Sequence, residues 1–223
     1  MNFSIQKLIN DSLKETKERK QQTSWHPSSL GSCLTGAYLA RSGAKRDEEF
    51  DDRTLRVFKV GNMMEQWLVD TIESTGAKFK KQVRIELPEL DVTGYADLVM
   101  ETPNGDLPYE IKSKNSKSFW WMEKKKQGAN RQHMMQLWIY LKFLNRPEGR
   151  LIYLSKDDLA ILEYPVFLDD KKLEEEVMHE LNILNEAWKQ QLPPEPIKDE
   201  KDWKVVYCGY HKQCVSQEKY LKI

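Results

Sequence analysis

The sequence lacks several features that would assign a protein to a class directly. It has no run of about 18 apolar residues, so no membrane-spanning helix is expected. Residues 1–22 are charged and amphipathic and lack the apolar core of a signal peptide. These absences predict a cytoplasmic protein without a membrane partner. In that compartment the 3 cysteines are expected to be free or metal-bound rather than paired in disulfides.

The sequence also lacks a net charge and a nucleotide-binding motif. Lys plus Arg and Asp plus Glu both number 35, which by itself argues against a strongly basic nucleic-acid-binding surface. No G-x-G-x-x-G or Walker A pattern is present, which weakens any nucleotide-binding interpretation. The zero net charge hides a local excess of positive charge. Residues 112–131 contain six lysines and one arginine but a single acidic residue, Glu123. That run is either a solvated helix face or a phosphate-binding surface.

The hydrophobic pattern predicts helices, then strands, then helices and strands again. The predicted helices cover residues 3–22, 28–42, 54–75, 118–126, 131–144 and 170–190. The predicted strands cover residues 79–87, 92–101, 107–112, 150–155 and 159–164. This order favours an α/β fold with a mixed central sheet flanked by helices. We expect one domain over residues 1–223, with an N-terminal helical part (1–53), a core (54–168) and a C-terminal helix and cysteine-bearing tail (169–223).

The most informative residues lie on two predicted strands that a tight turn connects. Gly94 and Asp97 lie on the first strand, Glu110 and Lys112 lie on the second, and residues 103–106 form the turn signal. A turn-linked strand pair brings Asp97 and Glu110 side by side across the ladder. Two carboxylates aimed at one point repel each other unless a cation lies between them. Oxygen ligands of this kind suit Mg²⁺ or Mn²⁺.

Strand alternation assigns roles to the residues around Glu110. Glu110 and Lys112 project to the same side, while Ile111 turns towards the core and offers its backbone carbonyl oxygen as a further metal ligand. Lys112 is then placed to orient or help deprotonate a water and to hold charge on a scissile phosphate. Each acid alone is usually solvated or paired with lysine, whereas the joint pattern is far more specific.

Gly94-x-x-Asp97 followed by Glu110-x-Lys112 resembles the core motif of the PD-(D/E)XK nuclease superfamily. The resemblance extends over nearly the whole chain, from about residue 28 to residue 214. It implies a restriction-endonuclease-like α/β core with helical additions at both ends. It also implies Mg²⁺- or Mn²⁺-dependent hydrolysis of DNA, with Asp97, Glu110 and Lys112 as catalytic residues.

Two further motifs resemble the RecB-like branch of that superfamily. Gln136-x-x-x-Tyr140 puts both side chains on one face of a predicted helix, where they reach either the DNA backbone or the groups behind the metal ligands. Gly61-x-x-x-Glu65 lies on the long predicted helix, at a point where the branch carries an acidic residue or a histidine. The resemblance therefore implies that Glu65 completes the metal ligands, and a glutamate there is closer to the phage exonucleases.

The basic run that follows Lys112 is the predicted DNA-binding surface. Its side chains would follow the phosphate backbone, and they are Lys114, Lys117, Lys124, Lys125 and Arg131. Trp120 and Trp121 either stack on unpaired bases or belong to the core.

The cysteines resemble those of the iron–sulfur variety of RecB-like nuclease, which includes the CRISPR-associated exonuclease. In that variety four cysteines hold a [4Fe-4S] cluster, and the matching positions here are Cys33, Val205, Cys208 and Cys214. Val205 cannot bind iron, so a complete cluster requires His211, an exogenous ligand or an open iron position. A zinc site formed with His211 would also account for the cysteines, and so would loss of the cluster with the thiols left as small apolar residues.

The resemblance implies an exonuclease that acts on DNA ends or single strands in recombination, repair, or CRISPR or phage DNA processing. A restriction-type endonuclease and a catalytically silent DNA-binding adaptor of the same fold are the rival hypotheses. DNA is the implied partner, and a homo-oligomer and recombination or CRISPR proteins are further candidates.

Overall fold

The computed structural model describes residues 3–14, 22–124, 128–197, 199 and 201–215. Its helices are α1 (Ile5–Leu13), α2 (Leu34–Arg41), α3 (Asp52–Ser74), α4 (Ser116–Lys124), α5 (Arg131–Leu144), α6 (Lys171–Gln190), α7 (Trp203–Val206) and α8 (His211–Val215). Its strands are β1 (Phe79–Leu87), β2 (Val92–Thr102), β3 (Gly105–Lys114), β4 (Glu148–Ser155) and β5 (Ile161–Phe167).

The five strands form one mixed sheet in the order β1-β2-β3-β4-β5. The pairs β1/β2, β2/β3 and β4/β5 are antiparallel, and β3/β4 is parallel. A parallel neighbour needs a crossover, which α4 and α5 supply between β3 and β4. The predicted mixed α/β architecture is confirmed.

Helices cover both faces of this sheet. On one face α3 contributes Met64, Leu68 and Val69 to a buried cluster with strand residues that include Leu98 and Ile111. On the other face, residues of α5 and α6 form the largest buried cluster together with Trp25 and with strand side chains. Both α3, which carries Glu65, and α5, which carries Gln136 and Tyr140, are thereby fixed against the strands that carry the acidic motif.

Three predicted elements differ from the structure. The first helix ends at Leu13, where Lys14 takes an extended backbone, and residues 15–21 of its predicted span lie outside the described residues. Residues 27–29 form only a 3-10 turn, and α2 begins after Cys33, whose sulfur accepts the Gly36 N–H as the N-cap. The last strand begins at Ile161, because residues 155–159 form the turn that precedes it. No helix in the described part of the chain is both long and apolar enough to span a bilayer.

Candidate active site and thiol cluster

Glu110 lies at the centre of the acidic site and is almost completely buried, with 1% of its surface exposed. One of its oxygens, Oε1, forms an ion pair with the Nζ of Lys112, a residue that remains partly exposed. The other, Oε2, is buried and has no hydrogen-bond partner among the described residues. Burial raises the pKa of Glu110 to about 7, although the nearby Lys112 charge opposes this rise.

Asp97 lies where β2 and β3 diverge. The last pair of the antiparallel ladder joins Leu98 to Tyr109. If the same register is continued by one residue, Asp97 lies opposite Glu110. The Ile111 N–H donates to Asp97 Oδ2 at 2.9 Å, which fixes the carboxylate against β3. Burial raises the pKa of Asp97. Asp97 and Glu110 are thus neighbouring carboxylates.

Gly94 of the motif has a packing role. A Cβ built on Gly94 would lie 2.7 Å from Pro27 Cδ, so a larger residue would push away the turn that precedes α2. The glycine therefore lets the N-terminal segment cross β2 close to its backbone.

Glu65 approaches the same site from α3. Burial raises the pKa of Glu65, and the negative charge of Asp97 raises it further. Gln82 of β1, which no sequence motif indicates, donates from Nε2 to Glu65 Oε1 at 3.2 Å. The same amide also lowers the pKa of Asp97 by hydrogen bonding, so Gln82 connects the two carboxylates.

Gln82 also has an unusual backbone for a strand residue. Its φ is 51°, in the left-handed region that favours glycine. The strained backbone lies directly beside Glu65 and Asp97, where strain is often retained for function. A glutamine inside an alternating strand gives no signal of positive φ, so the sequence could not have revealed this residue.

Gln136 and Tyr140 lie beneath Glu110, in the interior. Both are buried, and Gln136 Nε2 donates to the Tyr140 hydroxyl oxygen at 2.7 Å. Tyr140 also makes a small contribution that lowers the pKa of Glu110, against the larger rise caused by burial. Of the two alternatives that the sequence left open, burial of both side chains favours a position behind the metal ligands over contact with the DNA backbone.

The carboxylates fit a divalent metal ion. Three acidic groups converge, the pKa of each is raised in the absence of a cation, and a buried Glu110 oxygen has no partner among the described residues. A hard cation would stabilise the charged forms and satisfy that oxygen. The donor set, Glu65, Asp97, Glu110 and the Ile111 carbonyl, is all oxygen, as Mg²⁺ and Mn²⁺ require.

The predicted DNA-binding residues have different environments. Lys114 is partly buried, with its Nζ 5.7 Å from the Tyr153 ring centroid, and burial lowers its pKa. Lys117 and Lys124 are exposed on α4, and Lys124 pairs with Glu123 at 3.2 Å. Lys125 lies outside the described residues.

Arg131 has acidic partners within the protein. Its Nε donates to Glu176 Oε2 at 2.5 Å, and its Nη1 lies 3.9 Å from Asp170 Oδ2. Its charge is therefore already matched by α6, and a contact with DNA would compete with these pairs. Trp120 and Trp121 are both exposed at the surface and form an edge-to-face pair.

The three cysteines come together from opposite ends of the chain. Cys214 Sγ lies 3.7 Å from both Cys33 Sγ and Cys208 Sγ, and all three sulfurs lie within 4.8 Å of one another. All three are free thiols. Hydrogen bonds from the other two thiols and from the Gly36 N–H hold the pKa of Cys33 well below its usual range, at about 3. The arrangement can hold a metal ion.

Gly36, Val205 and His211 lie around the three thiols. A Cβ on Gly36 would lie 2.5 Å from Cys208 Sγ, so α2 approaches the sulfurs through a glycine. Val205, at the position that matches a fourth cysteine, is 1% exposed. The Nδ1 of His211 lies 3.1 Å from the Val205 carbonyl oxygen, and His211 is not in the group of metal-ligating atoms found in the described part of the chain.

Comparison with known proteins identifies the fold. No protein-family model and no curated protein sequence matches this chain. The crystal structure of SSO0001 has a TM-score of 0.57 at 18% identity and covers 93% of this chain and 95% of that one. The crystal structure of the alkaline exonuclease LHK-Exo from Laribacter hongkongensis has a TM-score of 0.53 at 16% identity and covers 76% of this chain and 93% of that one. The chain shares its fold with these two proteins, which agrees with the restriction-endonuclease-like α/β core that the PD-(D/E)XK resemblance implies. At these identities the likeness concerns the fold alone.

Proposed function

We propose that the protein is a metal-dependent deoxyribonuclease that acts on DNA ends or single strands. The observation that carries this proposal is the convergence of Glu65, Asp97 and Glu110 beside Lys112. One buried oxygen of Glu110 has no hydrogen-bond partner in the part of the chain that the structure describes. Clustering these acids inside the protein is costly for stability, because burial and their mutual repulsion disfavour the charged carboxylates, and a role in function would account for it. A shared fold with an alkaline exonuclease agrees with this function.

The proposed metal ligands are Glu65, Asp97, Glu110 and the Ile111 carbonyl oxygen, and the proposed metal is Mg²⁺ or Mn²⁺. A divalent cation bound there lowers the pKa of water and offsets negative charge on the phosphate oxygens. The protein itself fixes the ligands, because the Ile111 N–H holds Asp97 and the Gln82 amide holds Glu65. Such partners set the orientation of metal ligands.

Lys112 is the proposed catalytic residue beside the carboxylates. Its side chain is 28% exposed, so Nζ contacts Glu110 on one side and is accessible to a substrate on the other. From there it orients the attacking water and donates to a phosphate oxygen in a charge-assisted hydrogen bond. Gln136 and Tyr140 act through Glu110 as positioning residues, because both are buried and hydrogen-bonded to each other behind it.

DNA is the proposed partner, and the surface around α4 is the proposed path of the strand. Lys114 leads out of β3 beside the site, Lys117 lies exposed on α4, and both can pair with phosphates. Trp120 and Trp121 present aromatic surface on the same helix, which suits stacking on unpaired bases. Lys124, Lys125 and Arg131 stay predictions as phosphate ligands. The cytoplasmic location, a homo-oligomer, and recombination or CRISPR partner proteins also stay predictions, as does the single domain over residues 1–223.

The test is degradation of end-labelled single-stranded and duplex DNA with Mg²⁺, with Mn²⁺ and with EDTA. We expect metal-dependent release of label in the wild type and its loss in Lys112→Met, which keeps the apolar stem of the side chain. Lys172→Ala, at an exposed lysine of α6, is the matched control and should cleave like the wild type.

Two different outcomes would replace the proposal. Nicking of closed circular DNA, without preference for ends, would indicate a restriction-type endonuclease. Binding of DNA by folded protein, without cleavage under either metal, would indicate a silent adaptor.

A further inference from the structure

The sulfur triangle formed by Cys33, Cys208 and Cys214 has the dimensions of a site for one metal ion. Two of its edges measure 3.7 Å, and all three sulfurs lie within 4.8 Å of one another. Thiolates that bind a single tetrahedral zinc ion at about 2.3 Å stand roughly 3.8 Å apart. In a [4Fe-4S] cluster each thiolate binds a different iron atom, so the sulfurs are separated by the width of the cluster. The observed triangle is too small for that arrangement.

The geometry points to a single tetrahedral Zn²⁺ ion bound by these three thiolates, with a solvent ligand in the fourth position, in place of an iron–sulfur cluster. Val205 offers no ligand atom where a fourth cysteine would lie. His211 has its Nδ1 against the Val205 carbonyl oxygen and is outside the group of converging ligand atoms in the described residues. Three protein ligands and one solvent ligand complete a tetrahedron.

Backbone donors prepare the site for thiolates. The Gly36 N–H lies 3.4 Å from Cys33 Sγ, and the Tyr210 N–H lies 3.4 Å from Cys208 Sγ. Cys33 is also the N-cap of α2, where the helix dipole favours negative charge. All three sulfurs must be thiolates in the bound state, and binding releases to solvent the protons of those that are still thiols. Three thiolates and Zn²⁺ leave one net negative charge, which these donors stabilise.

The ion would fix the C-terminal tail to the N-terminal part of the domain. Cys208 and Cys214 belong to the segment that contains α7 and α8, and Cys33 begins α2. Polar contacts between the tail and one loop lie beside the sulfurs, such as Asp47 N–H to the Gly209 carbonyl at 3.0 Å and Lys212 N–H to Asp47 Oδ2 at 2.6 Å. The inference does not depend on nuclease activity, since neither set of residues includes a carboxylate-site ligand.

The first experiment measures metal content in full-length protein purified under reducing conditions. We expect one zinc per chain after dialysis against EDTA and little iron or acid-labile sulfide. Replacement by Co²⁺ should give a thiolate-to-cobalt charge-transfer band and the intense visible bands of tetrahedral cobalt. Stoichiometric iron and sulfide with broad visible absorption would overturn the inference, and so would metal-free protein that fails to take up Zn²⁺ or Co²⁺ or contains a disulfide.

Variants then identify the ligands. Cys208→Ser is chosen because Cys208 is the least buried of the three, and it should weaken zinc binding by at least about 100-fold. His211→Asn keeps a donor near the Val205 carbonyl oxygen and should bind zinc like the wild type. If His211→Asn lost as much zinc affinity as Cys208→Ser, the three-thiolate assignment would be overturned. Glu110→Gln should keep the full thiolate-to-cobalt band, which separates this site from the carboxylates.

If Cys208→Ser does not fold, proteolysis of the wild type provides an independent test. Stripping zinc with a strong chelator should make trypsin cleave at Lys204 and Lys212 several-fold faster, and adding zinc back should reverse this. Equal cleavage with and without zinc would overturn the role of the ion in holding the tail.

Discussion

The carboxylate site and the thiol site are built at very different sequence separations. Glu65, Asp97 and Glu110 lie within 45 residues of one another along the chain, on α3, which packs against the sheet, and on the neighbouring strands β2 and β3. Cys33 and Cys214 are 181 residues apart and meet only because the tail returns to α2. The pairing of neighbouring strands positions Asp97 and Glu110 at the carboxylate site. The thiol site forms only when the C-terminal tail packs against the N-terminal part of the chain.

This difference determines what a metal ion does at each site. At the carboxylate site, protein groups hold the ligands, because the Ile111 N–H fixes Asp97 and the Gln82 amide contacts Glu65. A metal there should change chemistry more than stability. The thiol site closes a long loop, and cross-links of long loops gain the most stabilisation in principle. A metal there should change stability more than chemistry.

The largest expected effect is at Glu110. Glu110→Gln keeps the shape of the side chain and removes the charge, so cleavage should fall by about 1,000-fold, which corresponds to about 4 kcal/mol of transition-state stabilisation. Its melting temperature should stay equal or rise, since a buried carboxylate is costly. Single-turnover cleavage with Mn²⁺ and thermal denaturation measure both, and Glu163→Gln, at an exposed glutamate of β5, is the control. Full activity in Glu110→Gln would remove Glu110 from the metal ligands.

Gly36→Ala should produce the opposite pattern. The new Cβ would lie 2.5 Å from Cys208 Sγ, which displaces that thiol, so zinc affinity should fall by roughly 10- to 100-fold while DNA cleavage is retained. Alanine also favours a helix over glycine by about 1 kcal/mol, which keeps α2 formed. Competition with a chelating dye measures the affinity.

Gly43→Ala is the matched control for Gly36→Ala. Its φ of +80° makes alanine strained, but no atom lies within 4 Å of the new Cβ. It should cost stability, about 1 kcal/mol, without any change in zinc affinity. Equal zinc affinities in the two variants would contradict the close approach of α2 to the sulfurs.

The pH dependence of metal binding should also separate the sites. Because the pKa of Glu110 is about 7, a cation at the carboxylates must displace its proton at lower pH. The apparent affinity for Mn²⁺ should rise about tenfold per pH unit below 7 and level off above it. Zinc binding at the thiols should be steeper, because more than one proton is released. Titration calorimetry measures both slopes, and Glu110→Gln should flatten only the first.

The raised pKa of Glu110 also predicts how the free energy of unfolding changes with pH when no divalent cation is added. The ordinary pKa of 4.5 is raised to about 7 in the folded protein, so the folded form holds a proton that the unfolded chain releases. The free energy of unfolding should therefore decrease as pH rises from 4.5 towards 7 through this group. Saturating Mn²⁺ should offset the decrease, and an unchanged profile in Glu110→Gln would contradict the assignment.

Sequence reasoning was most effective where local rules determine the structure. The turn at residues 103–106 and strand alternation were enough to place Asp97 next to Glu110 and to turn Ile111 inwards. It was less effective where tertiary packing decides. Helical spacing put Gln136 and Tyr140 on one face, but only the packing of α5 shows that the sheet covers that face.

The thiol site shows the same limit more clearly. The resemblance to iron–sulfur RecB-like nucleases implied that Cys33 would meet Cys208 and Cys214, but spacing carries no information on sulfur–sulfur distances. These distances distinguish one ion from a cluster, and they follow from how closely Gly36 lets α2 approach the tail. The sequence shows that Val205 stands in place of a cysteine. Only the fold shows that the three remaining sulfurs lie close enough together for a single ion.

The smallest effect tests the strained residue that the sequence did not reveal. Gln82→Gly and Gln82→Ala both remove the amide that holds Glu65, so both should lower Mn²⁺ affinity roughly tenfold or less. They should differ in stability, because glycine tolerates a φ of 51° and alanine does not, which makes Gln82→Ala less stable than Gln82→Gly by about 1 kcal/mol. Urea denaturation measures this difference. Equal stabilities would mean that the backbone of β1 relaxes once the amide is gone, and that the contact with Glu65 is what holds Gln82 in its left-handed conformation.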